Sequence, residues 1–278
     1  MNSQAVSVVI PARNASKTIR QTVNSVLMQL EDYDELIVLN DSSEDDTLGL
    51  LRDVIDSRVR IISSSKQLGV SKGANLLLHE ARNDLVARLD SDDLAISGRI
   101  DFQRNVMVQN SSLSVIFMSQ LSFGRKLKFF LPLNLARIEV HNFPWALLMG
   151  NPVCHSSSMM RRSRILGIGG YRDVVAEDYD LWIRCVLNGM NLEKFRKPGV
   201  LYRKHGDQLT RQVSWLNDLK SLNGIASSHH DLTKSLGWLG GKTWQILQQR
   251  DLTPEDEQRR LEFLNFVKTG KRRTRHGK

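Results

Sequence analysis

Leu85-Val86-Ala87-Arg88-Leu89-Asp90-Ser91-Asp92-Asp93 runs from a short strand-like segment into three carboxylates within four residues. A compact β-type run closed by a polar corner reads as a strand of a parallel sheet covered on both faces. The same unit recurs upstream. Val6-Ser7-Val8-Val9-Ile10 is an apolar run closed by Pro11, and Glu35 to Leu39 is a second strand followed by the polar turn Asn40-Asp41-Ser42-Ser43. Val59 to Ile62 is a third, which makes the stretch beginning at Leu85 the fourth.

The segments between these strands have helical spacing. Ser16 is placed to cap a helix with Ile19, Val23, Val26, Leu27 and Leu30 on one face. Leu48, Leu51, Val54 and Ile55 mark a second helix, Ala74, Leu77, Leu78 and Ala81 a third after Gly69, and a fourth runs from about Ser97 to Gln109. Strand alternating with helix predicts an α/β fold: a Rossmann-like, mostly parallel sheet flanked by helices. In such sheets the ligand crevice lies outside the carboxyl ends of the strands. Asn14, Asp41, Asp90, Asp92 and Asp93 all follow strands, so the reading gathers them at one crevice.

After Leu113 the pattern loosens. Phe129 to Ala136 and Phe143 to Met149 are apolar and broken by proline, and read as loops and short helices beside the crevice. Ser156 to Met160 reads as a strand, Gly167, Gly169 and Gly170 as a turn, and Glu177 to Asn188 as a helix with Leu181, Trp182, Cys185 and Val186 inward. Two strand-like runs follow, Asn191 to Phe195 and Gly199 to Arg203. From Gln212 the pattern is helical, interrupted at Gly240-Gly241 and restarting at Pro254. The expected organisation is one main domain over 1–211, with a strand–helix half ending near 120 and a more loosely patterned half after it. A helical C-terminal extension over 212–267 and a basic tail over 268–278 complete it.

The 278 residues are 41% hydrophobic and 25% charged, enough apolar side chain for a sizeable core. Disorder, a collagen-like chain and a disulfide scaffold are excluded. Cys154 and Cys185 have no ligand or redox spacing and read as reduced thiols. No secretory leader precedes Val6, and the longest stretch free of Asp, Glu, Lys and Arg, Val140 to Met160, is broken by Pro144, Gly150 and Pro152. The expectation is a cytoplasmic protein. Net charge is +9, and Lys268, Lys271, Arg272, Arg273, Arg275 and Lys278 supply most of it in an acid-free tail. Such a tail is either solvated or a contact for anionic lipid, which would hold the protein peripherally on the inner membrane face. No nucleic-acid recognition motif accompanies the charge.

Three packed carboxylates repel one another, and a divalent cation offsets that repulsion. Oxygen-only ligands suit Mg²⁺ or Mn²⁺ bridging to phosphates. The alternative is an acidic helix cap, for which one Asp would serve. Asp41 can accept from a base imide or a ribose hydroxyl, or close its own turn. Glu177-Asp178 is either a cap or a general base facing a hydroxyl acceptor, with Trp182 available to stack on a sugar. His205, within Tyr202-Arg203-Lys204-His205, is either a metal or phosphate ligand or a plain surface residue.

Taken in order, these segments resemble the family 2 glycosyltransferases. Val6 to Asn14 is similar to the family's opening strand, and Leu39-Asn40-Asp41-Ser42-Ser43-Glu44-Asp45-Asp46-Thr47 to its Asp-Gly-Ser-x-Asp-x-Thr motif, with Ser42 in place of glycine. Leu68-Gly69-Val70-Ser71-Lys72-Gly73-Ala74-Asn75 resembles its third segment, with Ala74 where Arg is common. Leu89 to Asp93 resembles its DxD signature, and Glu177-Asp178-Tyr179-Asp180-Leu181-Trp182 its Glu-Asp-x-Asp-x-Trp motif. The likeness covers roughly residues 5 to 205.

The resemblance implies a GT-A fold and an inverting transfer from a nucleoside diphosphate sugar, UDP-linked, to a saccharide or lipid-linked saccharide in cell-surface polysaccharide synthesis. It implies Mn²⁺ or Mg²⁺ as cofactor. By position, Pro11, Arg13 and Asp41 would line the base pocket, Arg13 standing where an aromatic or small residue is common. Lys72 joins the donor-binding set. Asp92 would approach the ribose and, with Asp93, the metal, Asp90 would support both, and His205 is a further candidate ligand. Asp178 would be the base and Glu177 its neighbour. A nucleotidyltransferase and a non-catalytic module on the same core are the alternatives. The first would need a glycine-rich phosphate loop where Pro11-Ala12-Arg13-Asn14 stands.

Overall fold

Alternate residues of the first two strands bury on opposite faces, and that parity organises the whole molecule. The computed structural model describes residues 4–124, 136–148, 150–174, 176–204, 228, 230–232 and 234–236. Strand β1 (Val6–Ala12) sends Val8 and Ile10 to one core and Val9 to the other, and β2 (Glu35–Asp41) divides Leu36 and Val38 from Ile37 and Leu39 in the same way. Both faces must then be covered, which is why these strands are apolar throughout rather than alternating. Helices α1 (Ile19–Leu27), α2 (Thr47–Arg52) and α4 (Arg99–Gln109) pack on one face. Helices α3 (Val70–Glu80), α5 (Phe143–Leu148), α6 (Arg162–Gly167) and α7 (Glu177–Leu187) pack on the other.

The remaining strands are β3 (Val59–Ser64), β4 (Leu85–Arg88), β5 (Leu94–Ala95), β6 (Leu113–Gly124), β7 (Ser158–Arg161) and β8 (Asn191–Lys204). They form one sheet in the order β3-β2-β1-β4-β7-β6-β8-β5. The chain steps outward from β1 to β3, then returns to place β4 on the other side of β1, parallel to it. Strand order reverses between β1 and β4, so the crevice opens at their carboxyl ends. The α/β expectation holds.

Four local expectations change. Ser16 does not cap α1, since its N–H is taken by Asp45 at 3.0 Å and the helix begins three residues later. The hydroxyls of Thr18 and Thr22 reach across to the Ser91 carbonyl, both at 2.9 Å, a tertiary contact that local spacing does not reveal. The region after Leu113, where the pattern loosens, is the twelve-residue strand β6. The two runs from Asn191 are one fourteen-residue strand, and its register against β6 shifts near Met118 and Ser119, which splits the pattern. Trp182 is fully buried, edge-on to Phe117 at 4.8 Å between ring centres, and is not available to stack on a sugar.

Of the predicted C-terminal helices, Ser228, His230, Asp231, Leu232, Lys234 and Ser235 are helical, and Leu232 enters the core beneath α7. The tail 268–278, Phe129 to Leu135 and His205 lie outside the described residues.

Candidate active site

The acidic corner is held from three directions. Ser91 hangs from α1 through the two threonine hydroxyls, and the Asp90 N–H donates to the Ser156 hydroxyl at 2.9 Å in the turn before β7. From β8, the Arg203 N–H donates to Asp93 Oδ1 at 2.9 Å, and its Nε to the Asp92 carbonyl at 2.8 Å. The corner is therefore built by tertiary contacts and does not float as a loop. Asp90 and Asp92 are partly exposed, whereas Asp93 is wholly buried, its Oδ2 without a hydrogen-bond partner. Burial first, then the charges of Asp90 and Asp92, push the Asp93 carboxyl well above the usual range, against the pull of Arg203 and Ser156.

Among the described residues no three His, Cys, Asp or Glu side chains gather as a complete metal cage. The corner nonetheless fits a hard divalent cation completed by substrate phosphates. Its donors are all oxygen, Mg²⁺ commonly uses one or two carboxylates plus phosphate, and an unpartnered buried carboxylate oxygen calls for a cation.

On the donor side, Pro11 pairs with Leu39 one residue before the end of β1, and Arg13 pairs with exposed Glu44 at 3.3 Å, a contact worth little. Asp41 is buried, and its two oxygens accept the N–H groups of Leu68 at 2.7 Å and Gly69 at 3.0 Å. It closes no turn of its own and clamps the loop that opens α3. Lys72, 67% exposed, lies 3.9 Å from Asp173. Ser42, in the motif's glycine position, keeps the left-handed backbone at φ 54. Such a conformation costs a non-glycine residue about 1 kcal/mol or more, partly offset by the greater freedom of glycine in the unfolded chain. Ser42→Gly is expected to raise stability by about 0.5–1 kcal/mol, read as a higher urea midpoint; a lower midpoint would contradict the strain.

On the acceptor side, Ala176 at φ 55 turns the chain into α7 and presents Glu177 and Asp178 at its first turn. Asp178 Oδ2 accepts from Asn151 Nδ2 at 2.8 Å, and Oδ1 from the Tyr179 N–H at 2.8 Å. Burial raises its carboxyl, and these two hydrogen bonds oppose the rise. Glu177 is pushed up to about 7, by burial first and then by the charge of Asp178, with Arg88 opposing. Burial thus raises both neighbours, and the hydrogen bonds from Asn151 and Tyr179 oppose the rise at Asp178. Behind them His155 Nε2 meets the Tyr171 hydroxyl at 2.7 Å, while Nδ1 lies 3.9 Å from Glu177. Burial, aided by Arg88, holds the imidazole neutral. Asn75 fastens the Tyr171 backbone to α3 with two hydrogen bonds of 2.8 Å.

The two sides meet at Arg88, the last residue of β4. Its Nε donates to Asp90 at 3.0 Å, and its charge also acts on Glu177 and Asp178. The corner and the helix start meet at one turn, where Ser156 accepts from the Asp90 N–H at 2.9 Å and the neighbouring His155 Nδ1 lies 3.9 Å from Glu177. Sequence reasoning missed Arg88, Asn151, His155 and Tyr171. Only Arg88 carried a signal, a charge inside an otherwise apolar strand. The Cys154 and Cys185 thiols are both pushed up by burial, Cys185 to about 12, and are inert as nucleophiles.

Comparison with known proteins bears on this crevice. The family profile described as Glycosyl transferase family 2 matches residues 7–164. The UDP-Glc:alpha-D-GlcNAc-diphosphoundecaprenol beta-1,3-glucosyltransferase WfaP of Escherichia coli is 27% identical over 231 residues, spanning 81% of this chain and 89% of that protein. The amylovoran biosynthesis glycosyltransferase AmsE of Erwinia amylovora is 25% identical over 221 residues, 77% and 82% of the two chains. Among solved structures, S. aureus TarS in complex with UDP-GlcNAc superposes with a TM-score of 0.64 at 18% identity, covering 94% of this chain and 72% of that one. The likeness to TarS is one of fold.

Proposed function

This chain belongs to glycosyl transferase family 2, and from that premise we propose that it moves a sugar, with inversion, from a UDP-sugar to a hydroxyl of a lipid-diphosphate-linked saccharide. It is a glycosyltransferase with a GT-A fold. The observation that carries the finer reading is the turn His155–Ser157, where Ser156 accepts from the Asp90 N–H at 2.9 Å and His155 Nδ1 lies 3.9 Å from Glu177, so the acidic corner and the start of α7 meet at one turn. The donor and acceptor classes follow those in the WfaP name, and the place in cell-surface polysaccharide synthesis follows that of AmsE. The nucleotidyltransferase and non-catalytic alternatives find no support among relatives that are themselves glycosyltransferases.

Asp178 takes the acceptor proton. Its charged form is favoured by Asn151 and the Tyr179 N–H, and it stands at the positive end of an eleven-residue helix. Glu177, raised to about 7, is a second carboxyl beside that base, and the charge of Asp178 contributes to its rise. The acceptor oxygen then attacks the anomeric carbon opposite the departing diphosphate, and the stereochemistry inverts. Holding both substrates between β4 and α7 adds a proximity contribution. Asp41 keeps lone pairs for a base imide beyond the two loop N–H groups it accepts.

Asp92 and Asp93 would hold a divalent cation, Mn²⁺ or Mg²⁺, which supplies charge neutralisation at the leaving diphosphate. Pro11, Arg13, Lys72 and Asp90 complete the proposed donor side. No helix among the described residues is long and apolar enough to cross a membrane. Contact with the membrane that carries the acceptor is assigned to the basic tail from Lys268.

The test is UDP release from a panel of UDP-sugars, with Mn²⁺, Mg²⁺ or EDTA, with and without a GlcNAc-diphospholipid acceptor. Metal-dependent release that the acceptor accelerates is expected. Absence of release from every UDP-sugar would overturn the donor assignment, and release indifferent to the acceptor would overturn the acceptor class.

A further inference from the structure

Asn151 stands in the loop between α5 and β7, and its amide has two partners of opposite kind. Nδ2 donates to Asp178 Oδ2 at 2.8 Å, and Oδ1 accepts from the Val153 N–H at 3.4 Å. A carboxylate only accepts and a backbone N–H only donates, so the pair determines which way the amide faces. The other oxygen of Asp178 accepts from the Tyr179 N–H of its own helix at 2.8 Å. Asn151 thus ties this carboxylate to a second element. The loop is itself fastened at several points. The Gly150 N–H donates to the Leu147 carbonyl at 3.2 Å, and the Ser157 N–H to that of Cys154 at 3.0 Å. Between them Lys194 Nζ, reaching over from β8, donates to the Pro152 carbonyl at 3.3 Å. Lys194 is only 4% exposed, and two backbone hydrogen bonds of 2.9 and 3.0 Å join it to Ile138. Burial pulls its ammonium down to about 8, the mark of a charge held in the interior at a cost.

We propose that Asn151 is a positioning residue that aims the base Asp178, on a loop anchored from β8 by Lys194. The inference rests on the transfer reading for its consequence in catalysis, whereas the hold on the carboxylate belongs to the resting protein. An aspartate side chain turns about two torsions, and a base displaced by 1 Å can lose about 10²-fold in rate. The Tyr179 N–H fixes one oxygen from the helix and Asn151 the other from the loop, and each oxygen keeps a lone pair for the acceptor hydroxyl. The choice of an amide matters. A guanidinium or ammonium in its place would hold the carboxylate more tightly and weaken it as a base. A neutral donor orients it and leaves it basic.

The experiment compares transfer kinetics and a ¹³C NMR titration of the Asp178 carboxyl carbon in the wild type, Asn151→Ala, Asn151→Asp and Lys194→Met. On the plateau above the acid limb, Asn151→Ala is expected to lower kcat by about 10–10²-fold with donor KM within a few-fold. Its Asp178 midpoint should rise by about one pH unit, a tenfold change in proton affinity, because the lost bond favours the charged form. Asn151→Asp should raise it further, since two carboxylates then contend for one proton. The other titratable groups near Asp178, namely Glu177, Arg88, Asp90 and Tyr171, are the same in all four proteins. Lys194→Met keeps the apolar length without the donor and should lower kcat in the same direction by a smaller factor. If it does not fold, Lys194→Leu is read in its place. An active enzyme whose Asn151→Ala variant keeps wild-type kcat, or leaves the Asp178 titration unmoved, overturns the proposal. Wild-type kcat in a folded Lys194 variant overturns the anchoring. A wild type that transfers no sugar, with the Asp178 titration moved in Asn151→Ala, overturns the transfer reading and leaves the hold on Asp178 standing.

Discussion

Asp178→Asn is expected to lower sugar transfer by about 10²–10⁴-fold while UDP affinity stays within a few-fold of the wild type. Asparagine keeps the shape and its Oδ1 still accepts from the Tyr179 N–H, while the Asn151 amide turns over so that its oxygen accepts from the new Nδ2, and the start of α7 is preserved. It has no basic oxygen to take the acceptor proton. The donor-side residues Asp41, Asp90 and Asp92 stand on β2 and the corner after β4, and the substitution does not touch them. Transfer assays beside calorimetric UDP titration separate the two effects. Wild-type turnover in the variant would remove Asp178 from the role of base.

The same pair sets a pH dependence. Transfer should rise as pH climbs through the raised Asp178 carboxyl, because only the ionised form accepts a proton. Stability moves the other way. Glu177 is raised from 4.5 to about 7, so between these values the folded chain binds more protons than the unfolded one. Its favourable contribution is complete below the lower value and is lost as pH rises through the upper. The stability that Glu177 contributes is thus lost between about 4.5 and about 7, while transfer depends on the ionised form of Asp178.

Asp180→Ala is expected to destabilise the fold by about 3–5 kcal/mol, because it leaves a buried guanidinium without its partner. Asp180 is wholly buried. Its Oδ2 accepts from Arg184 Nε at 2.7 Å and its Oδ1 from the Ser228 hydroxyl at 2.7 Å, with Arg172 at 3.6 Å. Arg184 in turn donates to the carbonyls of Ile168 and Gly170. One side chain thus joins α7, the glycine turn that carries Tyr171 and the C-terminal helical segment. The thermal midpoint should fall by roughly 10 °C. An unchanged midpoint would show that the network is not coupled to stability.

This residue also shows where local reading stops. Asp180 stands in the same short motif as Asp178, and the helical spacing that turns Trp182 inward does not say which of the two carboxylates serves chemistry. Tertiary contacts do. A carboxylate at the first turn opens into the crevice, while Asp180 and Trp182 turn into the core, one to Arg184 and the other to Phe117. The corner at Asp90 divides similarly, Asp93 buried under Arg203 and its two companions at the surface of the crevice.

The apolar runs and their alternation with helical spacing were sufficient for the parallel sheet, its crevice and the acidic corner, because burial on both faces writes itself into consecutive residues. Motif order was sufficient for the family. Long-range pairing is not written locally. That β6 and β8 would be single long strands, that two threonines of α1 would hold Ser91, and that Asn151, His155, Tyr171 and Arg88 would converge on Glu177 and Asp178 depend on contacts between residues far apart in the chain. Spacing along a chain governs neighbours within a few residues. Which distant side chain meets a carboxylate, and so whether that carboxylate holds its proton, was decided by tertiary packing alone.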